Sequence, residues 1–137
     1  MTARPVFVDT AGWMSLADAA DPQHADAKAW RDSWLEAGGL LVSTDYVLDE
    51  TLTLIRFRLG IAAAERWWDQ VEGSTRLAWE WIDPLRAEKA RRWMFRWHDK
   101  DFSFTDCTSF VVMKEQRLRS ALTGDRHFAQ AGFEIVP

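Results

Sequence analysis

At 137 residues, 47% hydrophobic and 28% charged with only 7 Gly and 4 Pro, the chain has the size and composition of one folded domain, and it lacks the bias of a disordered or repetitive tract. A net charge of −4 excludes a protein that coats nucleic acid through a uniformly basic surface, although Arg86, Lys89, Arg91, Arg92 and Arg96, and later Lys114, Arg117 and Arg119, concentrate positive charge locally. There is no signal-peptide core and no run of about 18 apolar residues, and the single Cys107 has neither a disulfide partner nor zinc-ligand spacing, so a soluble cytoplasmic protein with no membrane contact is expected.

Val6, Phe7 and Val8 read as a short strand ending at Asp9, with a short helix over 12–16. Beyond the Asp21-Pro22 turn, Ala25, Ala29, Trp30, Ser33, Trp34 and Ala37 keep helical spacing until Gly38-Gly39 stops the pattern. Residues 40–42 form a second strand. Ser43 or Thr44 then caps a helix over 46–59 that Gly60 closes, and another helix follows over 61–71. Leu77, Trp79 and Trp81 alternate as in an edge strand or extended loop over 76–82. Asp83-Pro84 supplies an N-cap and first residue for a helix over 85–97. A loop over 99–101, a helix over 103–117, a strand over 121–123, a helical turn over 125–130 and a last strand over 133–136 complete the chain.

Short apolar strands separated by amphipathic helices specify an α/β sandwich, a mainly parallel sheet with helices on both faces, because right-handed crossovers place helices between parallel strands. Ligands of such sheets collect at the carboxyl ends of the strands, near a topological switch point. Asp9 and Asp125, each just past the end of a strand, fall on that edge; Glu50 and Asp106 lie near the starts of helices expected to begin there. Four carboxylates in one cleft oppose each other's ionisation, and a hard Mg²⁺ or Mn²⁺ ion removes that cost. Because such an ion polarises a phosphoryl group, phosphodiester hydrolysis is the chemistry expected.

Each acid also has a purely structural use. Asp9 can cap the helix behind it, Asp106 forms an S-x-x-D capping box with Ser103, and Asp125 follows Gly124 as a turn residue. Glu50 shares a helical stripe with Leu54 and Phe57, an apolar setting unusual for a solvated Glu.

Taken together, V-D-T near the N-terminus, T-D-Y-V-L-D-E-T opening a helix, S-F-T-D-C-T-S-F, and L-T-G-D-R-H-F followed by A-G-F resemble the PIN-domain family, specifically the VapC-like toxins of toxin–antitoxin pairs. The resemblance spans essentially the whole chain, 1–137, as one domain. It implies a three-layer α/β/α fold with five parallel strands in the order 3-2-1-4-5. It further implies an endoribonuclease dependent on Mg²⁺ or Mn²⁺, with Asp9, Glu50, Asp106 and Asp125 at the metal, an RNA substrate, a small cognate antitoxin, and often a homodimer. One departure is that Arg126 and His127 stand where some relatives carry a further acid, and His127 is expected to be a packing or turn residue more than a catalytic one.

Thr10, Ser103 and Thr123 flank the acids and are placed to orient a carboxylate or a water, with capping or strand pairing as the simpler use. The nine Trp include the i, i+4 pairs Trp30/Trp34 and Trp93/Trp97, expected in core or interface packing; an exposed Trp93 or Trp97 among Arg91, Arg92 and Arg96 would also suit an RNA base or an antitoxin groove. Two other functions compete. One is a PIN domain that serves RNA processing or only scaffolds RNA or protein. The other is a receiver-like phosphoacceptor domain, which needs adjacent acids after the first strand and a late Lys, whereas Asp9 precedes Thr10 and Thr123-Gly124-Asp125 has no Lys.

Overall fold

The computed structural model describes residues 4–137. In chain order the elements are β1 (Val6–Val8), α1 (Thr10–Ala17), α2 (His24–Glu36), β2 (Leu41–Thr44), α3 (Asp45–Leu59), α4 (Ile61–Gly73), β3 (Leu77–Glu80), α5 (Pro84–Arg96), α6 (Phe104–Glu115), β4 (Ser120–Leu122), α7 (His127–Gln130) and β5 (Glu134–Val136). All pairings are parallel and the strand order is β3-β2-β1-β4-β5, flanked by helices, as the resemblance implied. The chain starts at the central strand, builds to the β3 edge, and returns through α5 and α6 to lay β4 on the other side of β1. The switch point therefore lies between the carboxyl ends of β1 and β4.

Central strand residues Phe7, Val8, Val42 and Leu122 are buried, as expected for a sheet covered on both faces. Phe110 of α6 meets Phe102 and Phe128 edge to face, with ring centroids 5.0 Å apart in both pairs. A second aromatic series runs outward from the buried pair Trp13 and Trp67 through Trp68 and Trp79 to the exposed Trp81. Most of the tryptophans thus serve packing.

Element ends shift where a side chain takes over a backbone bond. α1 starts at Thr10 because the Asp9 carboxylate accepts from Gly12 N–H at 2.8 Å. α7 starts at His127 rather than 125 because Asp125 Oδ1 accepts from His127 N–H at 2.9 Å. α6 stops at Glu115 because Arg117 takes a left-handed φ of 57° and Leu118 N–H closes onto Met113 O. Gly60, at φ 100°, makes the turn between α3 and α4 that the sequence pattern marked. Phe57 departs from the expected apolar stripe beside Glu50: it is 79% exposed, while Leu54 is half-buried.

Gly12 fixes how closely α1 approaches the sheet, since a Cβ there would stand 2.1 Å from Leu122 O. That oxygen belongs to backbone and cannot yield as a side chain would. Gly12→Ala is expected to cost about 3 kcal/mol and lower Tm by roughly 10 °C. A melt unchanged within error would show that α1 and β4 are not held this tightly.

Candidate metal centre

The switch point opens into a cleft of about 540 Å³ lined by Asp9, Glu50, Asp106 and Asp125, together with Asp21, Gln23 and Arg58. All four expected acids share it, but they stand differently. Asp9 sits at the floor, 4% exposed: Oδ1 accepts from Gly12 N–H, and Oδ2 accepts from Thr123 Oγ1 at 2.8 Å. Thr123 Oγ1 in turn accepts from Asp125 N–H at 2.8 Å, so one hydroxyl ties the ends of β1 and β4 to the loop that carries Asp125.

Asp106 is the third residue of α6 and forms the capping box the sequence foretold. Ser103 Oγ accepts from Asp106 N–H at 2.9 Å, and Asp106 Oδ2 accepts from Ser103 N–H at 3.2 Å. The same cap turns the carboxylate toward Asp125, so the structural and chemical uses of this residue coincide. Asp106, Asp125 and His127 each offer one ligand atom within 4.8 Å of the others. Glu50 is exposed, one of the residues lining the cleft, with no side-chain hydrogen bond among the described residues.

His127 is closer to the acids than a turn residue needs to be. Its Nδ1 lies 2.9 Å from Asp125 Oδ1 and 3.6 Å from Asp106 Oδ2, but off the direction of a hydrogen bond, and its ring stands edge-on to Phe102. Sequence patterning gave it little weight because spacing alone does not show that α7 turns it back toward Asp106. Arg58 and Gln23 were missed altogether. A signal existed for Arg58, at i+8 from Glu50 and i+4 from Leu54 on one stripe of α3.

Burial drives the Asp9 pKa up to about 7, outweighing the hydrogen bonds from Gly12 and Thr123, and the neighbouring Asp125 and Asp106 push the same way. Asp106 is likewise raised, mainly by partial burial, with Asp125 adding to it. Arg58 is the sole cation among the residues lining the cleft, against five carboxylates. Hard oxygen donors that resist losing their protons, with one arginine against five carboxylates, fit a divalent ion, which would supply the missing charge.

The fold and this acidic edge define a class of protein. The PIN domain family model matches residues 6–134, and the chain belongs to that family. Among proteins similar to it, the 23S rRNA-specific endonuclease VapC20 of Mycobacterium tuberculosis is 34% identical over 137 residues, covering 96% of this chain and 98% of the relative. Ribonuclease VapC26 of the same organism is 30% identical over 127 residues, covering 90% of each. The crystal structure of Mycobacterium tuberculosis VapC20, described as a sarcin–ricin loop cleaving toxin, superposes with a TM-score of 0.85 over 96% of this chain and 99% of that one. FitAcB from Neisseria gonorrhoeae shares the fold at a TM-score of 0.66 and 17% identity, covering 96% of each chain. A receiver-like domain is thereby replaced as a reading: the family is PIN, and no Lys lines the cleft among the described residues.

Two outcomes test this geometry. Without metal, Asp9 ionises near pH 7 when folded and near pH 4 when unfolded, so the folded state holds the proton longer and loses stability as pH rises between those values. Relative to wild type in EDTA, Asp9→Asn should therefore gain on the order of a few kcal/mol between pH 4 and pH 8, read from paired denaturant melts. A difference that stays flat with pH would remove the buried-charge account. Thr123→Val strips Asp9 Oδ2 and Asp125 N–H of their shared partner and should cut metal affinity or turnover roughly 10- to 100-fold, with far-UV circular dichroism unchanged. Wild-type affinity and turnover in that variant would show that the Thr123 bridge does not position the acids.

Proposed function

We infer that the protein is a divalent-metal-dependent endoribonuclease, the toxin component of a toxin–antitoxin pair. The observation that carries this is the meeting of Asp9, Asp106 and Asp125 at the β1/β4 switch point, in a cleft where five carboxylates face a single arginine, Arg58. In this reading Asp9, Asp106 and Asp125 hold Mg²⁺ or Mn²⁺, and Glu50 completes the ligand set or orients the attacking water. When bound, such an ion supplies Lewis-acid polarisation of the scissile phosphodiester and a water of lowered pKa. Ser103 and Thr123 keep Asp106 and Asp125 in place, and Arg58 faces the incoming phosphate with the charge the acids lack.

The substrate is RNA, with the 23S rRNA named for VapC20 as the first target to try. The partner is a small cognate antitoxin, and a homodimer is the expected assembly. The exposed apolar side chains Phe57, Ile61, Trp81, Leu85 and Phe95 provide surface for either contact. No helix among the described residues is long and apolar enough to cross a membrane, and we place the protein in the cytoplasm. Residues 1–137 are proposed to form one PIN domain, of which 1–3 lie outside the described residues.

Asp9→Asn should abolish cleavage of RNA in Mg²⁺ or Mn²⁺ and relieve growth arrest on induction while the protein stays folded. Calorimetric titration should show metal binding by the wild type that Asp125→Asn weakens. Sequencing of RNA 5′ ends after brief induction identifies the target; growth arrest without new ends, or undiminished metal-dependent cleavage by Asp9→Asn, would refute the assignment.

A further inference from the structure

The active-site cleft is a poor place for RNA to bind first. Five carboxylates line it against the single Arg58, so it repels phosphate until a metal is present, and even then it offers few contacts beyond the scissile bond. A second cleft has the opposite character. It lies between α5 and the C-terminal part of α6, measures about 410 Å³, and is lined by Lys89, Arg92, Trp93, Arg96, Trp97 and Lys114 with no acid among its lining residues. It shares no residue with the acidic cleft.

Positions 89, 92, 93 and 96 recur at helical spacing, so α5 presents them as one stripe, which the C-cap residue Trp97 extends into the cleft. Trp93 forms the inner wall, its ring 5.4 Å from Phe110. Trp97, just past the helix end, is 42% exposed, and the Arg96 guanidinium stands 5.6 Å from the centre of its ring. Lys89 and Arg92 already have acid partners in Glu115 and Glu88. Arg96 and Lys114 have no salt bridge among the described residues; Lys114 instead sits 5.3 Å from the Phe133 ring. Two cations without acid partners beside an exposed indole, on a protein of net charge −4, match a strand of nucleic acid: phosphates for the cations and a π-face for the ring. An acidic protein segment would use the charges but leave Trp97 without a planar partner.

We propose that this α5–α6 cleft is a second RNA-binding surface, which holds substrate outside the scissile site with phosphates on Arg96 and Lys114 and a base stacked on Trp97. The proposal rests on the ribonuclease reading for its choice of polyanion. One rigid helix links the two sites, since α6 carries Asp106 near its start and Lys114 eight residues later, about 12 Å along the axis. RNA of ordinary length spans that distance, and the basic cleft contributes the affinity that the acidic one lacks.

Fluorescence anisotropy in EDTA, with a labelled single-stranded oligoribonucleotide of about 16 nucleotides, reads binding without cleavage. The double variant Arg96→Gln/Lys114→Gln should bind at least roughly ten-fold more weakly, and its slope of log affinity against log salt should fall by about 1.4. Trp97→Ala should lose roughly ten-fold, and Trp97→Phe should recover most of it. Arg91→Gln, which removes an exposed charge of α5 outside the cleft, should bind nearly as wild type. The proposal is overturned by wild-type affinity and slope in the double variant, by an equal loss in Arg91→Gln, or by variants that keep RNA binding and lose only binding to polyglutamate. Failure of the ribonuclease reading would show separately, as wild-type protein that binds this RNA in EDTA but cuts none with Mg²⁺.

Discussion

A carboxylate buried between two parallel strands is an expensive thing to build. Asp9 is accepted at the end of β1 because Gly12 N–H and Thr123 Oγ1 bind its two oxygens, and those bonds also start α1 and tie β4 to β1. They do not make the charge comfortable: the carboxyl still holds its proton up to about pH 7. A proton meets that need at low pH and a bound dication would meet it at neutral pH, while Asp106 and Asp125 add to the repulsion. Asp106 and Asp125 approach from a helix start and a loop, each held by bonds that would serve as ordinary caps and turns elsewhere.

The economy of that arrangement lies in double use. Ser103 and Asp106 satisfy the first turn of α6 and aim a carboxylate in the same act; Thr123 continues β4, with its N–H on Val136 O, while its hydroxyl joins Asp9 to the Asp125 loop. Gly12 lets α1 lie against Leu122, which brings the capped end of that helix to the switch point. Site and scaffold therefore stand or fall together.

Charge is divided between the two ends of α6. The end that bears Asp106 faces an acidic cleft suited to a metal, and the end that bears Lys114 faces a basic and aromatic one suited to a polyanion. A net charge of −4 conceals this division, because averaging over the surface cancels two local fields of opposite sign.

By itself the sequence determined the helices, four of the strands and their order, the four acids, the caps at Asp83 and Ser103, and the turn at Gly60, because each depends on residues within a few positions of one another; it left the α3 cap between Ser43 and Thr44 and 76–82 between an edge strand and a loop. Short-range spacing also showed the basic and aromatic stripe of α5. What it did not determine is anything that needs distant residues in contact: the bond from Thr123 to Asp9 across 114 positions, the return of His127 to Asp106, the entry of Arg58 into the acidic cleft, and the exposure of Phe57. The ambiguity over Asp9, Asp106 and Asp125 had the same origin, since a capping Asp and a metal-binding Asp look alike locally. Only the packing of β4 beside β1 brought Asp9 and Asp125 into one cleft with Asp106, where burial and mutual repulsion raise the pKa of Asp9 and Asp106.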